Sequence, residues 1–96
     1  MAAPWSYPPE LLAALAPLGL APRPTTPPAL AREAVDDLYK YELRRLRDRL
    51  KRGDVVRANY SAAVIALRKR YWVLTLPLPV WERICTEGGR SRFPQK

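Results

Sequence analysis

Hydrophobic and polar positions follow a helical rhythm through the middle of the chain, and prolines break that rhythm at both ends. No proline occurs between Ala29 and Leu76. Within that stretch Ala31, Val35, Leu38, Tyr39, Leu43, Leu46 and Leu50 recur at steps of three and four. That spacing is helical, not the alternation of a strand. Val56, Tyr60, Ala63, Val64, Leu67 and Tyr71 make a second stripe of the same kind. Gly53 lies between the two stripes. Glycine commonly ends helices, and Lys51 and Arg52 before it suit the negative end of a helix dipole. The pattern therefore predicts two helices, at about 27–52 and 54–71, joined by a short turn. Two amphipathic helices so joined lie antiparallel with their stripes facing.

Local chemistry fills in the ends. Thr26 is expected to cap the first helix, with Pro27 in its first turn, and Asp54 to cap the second. Pro8 to Ala16 reads as a short helix with Leu11, Leu12 and Leu15 on one side, followed by an extended linker to Pro28. Tyr71 to Leu76 reads as a helix end and an extended connector. Pro79 opens a last short helix carrying Val80, Trp81, Ile84 and Cys85. The predicted fold class is all-α: an antiparallel helical hairpin capped by short N- and C-terminal helices, a small domain of three to four helices. The expected division is a proline-rich segment with a short helix at 1–26, a hairpin domain with its C-terminal helix at 27–86, and a flexible basic tail at 87–96.

Composition narrows the chemistry. The chain has 96 residues, no His and one Cys. It therefore has no imidazole base, no internal disulfide and no Cys-based zinc cluster. Its four Gly form no phosphate-cradling loop. No catalytic, cofactor-binding or metal-binding residues are expected, and no cofactor. The longest apolar stretch, Leu11 to Ala21, is far short of the roughly 20 residues that span a bilayer. No Lys or Arg precedes Arg23, so the charged head of a signal peptide is missing. The expectation is a cytoplasmic, non-enzymatic protein without a membrane segment.

Charge then changes the picture. The formal net charge is +8. All of it lies in residues 40–70, where eleven basic residues face only Glu42, Asp48 and Asp54. The remainder of the chain balances. Arg44, Arg45, Arg47, Arg52 and Arg57 gather at the Gly53 end of the hairpin, and Arg68 belongs to a smaller group at the other end. This set is the candidate polyanion-binding surface, because arginine clusters attract phosphates and carboxylates. The implied partner is an acidic macromolecule, either nucleic acid or a protein surface. The alternative is an accessory subunit or assembly factor whose basic face is only solvated. Homo- or hetero-oligomers are compatible with either reading.

A few residues stand apart. Glu42 falls inside the apolar stripe, where a carboxylate needs a partner. The expected structural ion pair is Glu42 with Arg49; Arg45 is also within reach on the same helix, and Arg68 or Arg70 across the hairpin. Tyr41, Ile65 and Trp72 fall off the stripes and are the candidate partner contacts, unless the terminal segments cover the two aromatics. Cys85 is expected to be a small buried hydrophobe. Leu38-Tyr39-Lys40, heading a basic helix, resembles the LYR-motif proteins, small basic three-helix accessory factors of mitochondria. The resemblance covers three residues, lies far from the N-terminus and ends in Lys. No family is assigned on it.

Overall fold

The computed structural model describes residues 4–87. Four α-helices follow one another: α1 (Pro9–Leu15), α2 (Pro28–Lys51), α3 (Arg57–Arg70) and α4 (Leu78–Glu87). Two short 3-10 turns lie between them, Ala16–Leu18 after α1 and Trp72–Thr75 after α3. Among the described residues there is no strand. The fold is all-helical, as the pattern predicts. A flexible tail was expected from residue 87; apart from Glu87, which closes α4, it lies outside the described residues.

The turn of the hairpin is built by backbone hydrogen bonds at Gly53. Its φ of 80° is left-handed, a region open to glycine at little cost. Gly53 N–H donates to the Leu50 carbonyl at 3.1 Å, and Asp54 N–H donates to the Arg49 carbonyl at 2.9 Å. This pair of bonds is a Schellman motif. Asp54 is thus occupied in closing α2 and does not cap α3. The residue capping α3 is Val56, without a side-chain bond. Thr26 does not cap α2 either. Pro27 takes that position, held extended before Pro28. Thr26 Oγ1 instead accepts from Arg23 N–H at 3.0 Å, in a turn of the N-terminal segment.

Trp72–Thr75 form a 3-10 turn where a helix end and an extended connector were expected. Two long-range clamps hold it. Arg32 on α2 donates from Nε to the Leu76 carbonyl and from a terminal nitrogen to the Leu74 carbonyl, both at 2.9 Å. Trp81 Nε1–H donates to the Val73 carbonyl at 3.1 Å. Arg32 satisfies the Leu74 and Leu76 carbonyls, and Trp81 adds a second donor to the Val73 carbonyl, which also accepts from Leu76 N–H at 3.2 Å. Sequence periodicity gives Arg32 no special weight.

The core sits at one end of the hairpin. It gathers Leu11 and Leu15 of α1, Ala31 and Val35 of α2, Leu67 and Tyr71 at the end of α3, Val73, and Trp81, Ile84 and Cys85 of α4. The N-terminal strap joins this core. Tyr7 donates its hydroxyl to the Thr26 carbonyl at 2.7 Å, and Ser6 N–H donates to the Cys85 carbonyl at 2.7 Å. The sequence stripes continue to Leu50 and back from Val56, but the covering helices do not. By helical rise α4 reaches roughly 15 Å and α2 roughly 36 Å. Leu43, Leu46, Leu50, Tyr60 and Val64 are consequently only half-buried, and Val56 is exposed. The molecule is elongated, 53 × 29 × 19 Å, with a packed base and a two-helix arm.

Burial in the base also sets its response to pH. Burial pushes the Cys85 thiol up to about 11 from an ordinary 9.0. Burial, and then the charge Cys85 would carry, pushes the Tyr7 hydroxyl up to about 12 from 10.0. Both are acids that the fold holds protonated, so each folded value lies above the unfolded one. Their contribution is complete below pH 9 and is lost as pH rises through 11 and 12. The Cys85 part amounts to about 3 kcal/mol. Urea unfolding followed by circular dichroism should show a falling midpoint between about pH 9 and 11. The fall should be shallower in Cys85→Ala. An equal slope in both proteins would show that the thiol does not carry it.

Candidate functional site

The arm carries nearly all of the candidate residues, and its geometry sorts them. Arg44, Arg45 and Arg47 are exposed on α2 near its C-terminal end. Arg44 and Arg47, three residues apart, share a face, and Arg45 lies about 100° round the helix from Arg44, so the three cover a broad arc of the surface. Arg57 opens α3 at the same end and is exposed. Arg52 pairs with Asp54 at 3.2 Å, in the open. Arg68 sits roughly 17 Å from Arg57 along α3. The arm therefore brings five of the six predicted arginines to the turn end and leaves Arg68 near the base. Among the described residues, Arg44, Arg45, Arg47, Arg57 and Arg68 have no carboxylate partner. Arg45 lies over the Tyr41 ring, 5.8 Å from its centre.

Glu42 is engaged, but not with Arg49. It accepts a hydrogen bond from the Tyr71 hydroxyl and pairs with Arg70 across the hairpin at 3.5 Å. The expected Glu42–Arg49 pair is thus replaced by partners on the facing helix. The reason is register: residue 42 lies opposite residues 70 and 71 in an antiparallel pair that turns at Gly53. Tyr71 is buried, and its ring meets Tyr39 at 5.3 Å between centres. Burial first, and the bond to Glu42 second, push the Tyr71 hydroxyl well above its ordinary range. It stays protonated and donates to the carboxylate. This knot closes the base of the arm.

Beyond the knot a groove opens between α2 and α3, about 470 Å³ in volume. Leu46, Ala63, Ala66 and Leu67 contribute its apolar surface. Arg45 and Arg49 line it from α2, and Arg70 with Glu42 from the base. Sequence reasoning found Glu42 as an acid in an apolar stripe and missed the groove. The signal was present: Arg49 lies two heptads from Val35 on the same helical face, so the stripe turns from apolar to charged where α2 leaves the core.

The three predicted partner contacts do not form one patch. Tyr41 is 51% exposed on α2, beside Arg45. Ile65 is 53% exposed on the side of α3 away from α2. Trp72 opens the 3-10 turn and is 38% exposed. The terminal segments leave Tyr41 largely open.

Among the described residues no group of His, Cys, Asp or Glu is placed to hold a metal ion. No described helix is long and apolar enough to cross a membrane. No known protein family, no curated protein and no solved structure matches the chain.

Proposed function

We propose that the chain is a small non-enzymatic interaction module that binds an acidic macromolecule with its basic arm. One observation carries the reading. Arg44, Arg45, Arg47 and Arg57 at the turn end of the arm are exposed and lack carboxylate partners among the described residues, while the packed base is elsewhere. A solvated helix needs no such excess, because like charges along a thin arm repel one another. An acidic partner removes that repulsion and releases counterions. A cytoplasmic location is compatible with this reading, since the one Cys, Cys85, is free and buried.

Titration of labelled polyglutamate and of mixed-sequence RNA and DNA, single- and double-stranded, tests the reading. At least one should bind at about 20 mM salt and weaken at least tenfold by about 150 mM. If none binds at low salt, the arm is not a polyanion-binding element.

A further inference from the structure

The geometry points to the groove between α2 and α3 as the seat of an acidic amphipathic helix from a partner protein. This rests on the proposed reading of the arm and specifies its partner. The argument begins with one face of α2. Ala31 and Val35 lie on it in the base, and steps of seven carry the same face to Glu42 and Arg49. In the base that face is buried against a core that includes Trp81, Ile84 and Cys85, and α2 packs against α4. Along the arm the face is open, and the groove begins there. Two helices alone enclose no interior, and a third helix laid along their seam gives them one.

The lining selects the occupant. Ala63 and Ala66 are small, so a helix backbone can approach α3 to the 8–10 Å usual for packed helices. Leu46 and Leu67 offer apolar contact to side chains at i, i+3, i+4 and i+7 of an incoming helix. Arg45 and Arg49 on the α2 rim have no carboxylate partner among the described residues and call for carboxylates beside that apolar strip, while Arg70 on the other rim is already paired with Glu42. Glu42, the acid inside the groove, is already held by Tyr71 and Arg70, so it does not neutralise Arg45 or Arg49. A second copy of the chain fits poorly, because it would set one +8 arm against another. Phosphates fit the exposed arginines but gain nothing from an apolar floor. The groove and arm together accommodate about 14 residues of helix, roughly 21 Å. A segment that short is marginally helical in water and folds as it docks.

A suitable probe is a synthetic peptide of about 14 residues with leucines on one helical face and glutamates flanking them. A scrambled peptide of identical composition and mixed-sequence DNA of about 20 nucleotides serve as controls. The full chain is used throughout, and binding is read by fluorescence anisotropy. The patterned peptide should bind at least tenfold more tightly than the scrambled one and gain helical circular dichroism. Ala66→Phe obstructs the groove without changing charge, at an exposed position where the fold should tolerate it. It should weaken the patterned peptide at least tenfold and leave DNA binding unchanged. Arg45→Gln with Arg49→Gln should weaken the peptide to a similar degree and provides a test that needs no bulky residue. Equal binding of both peptides would overturn the inference. So would unaltered affinity in Ala66→Phe or in the paired arginine variant. Binding of DNA but neither peptide would overturn it while leaving the basic-arm reading in place. No binding of any probe at low salt would end both.

Discussion

Trp81→Ala is expected to abolish most of the cooperative stability of the protein. Trp81 is fully buried, the largest such side chain in the core. It belongs to the buried cluster that also holds Tyr7, Leu11, Val35 and Val73. Its N–H also occupies the Val73 carbonyl of the 3-10 turn. Truncating a buried tryptophan costs about 3–5 kcal/mol, through lost transfer energy and the cavity left behind. A domain of this length has about 5–15 kcal/mol in total, and a core confined to one end puts this one near the lower figure. The loss is severe here because the core is confined to one end, and among the described residues the buried side chains form one cluster. Urea unfolding should show a midpoint displaced by at least half of its original value, or no folded baseline. Trp81→Phe should lose the hydrogen bond and part of the packing, at a cost of about 1–2 kcal/mol. A Trp81→Ala protein within 1 kcal/mol of the parent would mean that the base is not packed around this residue.

The position of that core marks the limit of what the sequence made legible. The end of α2 was legible because Lys51, Arg52 and Gly53 act locally; the dipole and the left-handed glycine need no knowledge of the rest of the fold. The two cap residues were not. Thr26 and Asp54 have the right side chains, but Pro27-Pro28 and the Schellman turn claim the local backbone first. The stripes show which face of each helix is apolar, and say nothing of how far along it other elements reach. Leu46 and Val35 look alike on a helical wheel. One lines an open groove and the other is fully buried, because α1 and α4 are too short to cover both. Glu42 was legible as a carboxylate in need of a partner. Its partner was not, because the choice between Arg49 and the Arg70–Tyr71 pair depends on hairpin register.

Removing charge from the arm should produce the opposite separation: large loss of binding with the fold intact. In a variant carrying Arg44→Gln, Arg45→Gln, Arg47→Gln and Arg57→Gln, the net charge falls by half, from +8 to about +4. None of the four has a carboxylate partner among the described residues, and none lies in the core. Glutamine keeps the helix propensity and much of the stem. Thermal unfolding should therefore shift little, or rise as repulsion within the arm is relieved. Binding of the acidic probe should respond strongly. Exposed charge contacts are worth up to about 1 kcal/mol each. Four at about 0.5–1 kcal/mol each give a loss of about 30- to 1,000-fold. Charges at the rim of an interface act mainly through encounter, so stopped-flow measurements should place most of that loss in the association rate, and its salt dependence should flatten. Trp81→Ala destroys the scaffold that holds the arm, whereas the four glutamines disarm it on a sound scaffold. If the quadruple variant binds as the parent does while melting at the same temperature, the arginines are a solvated surface, and the partner engages another face.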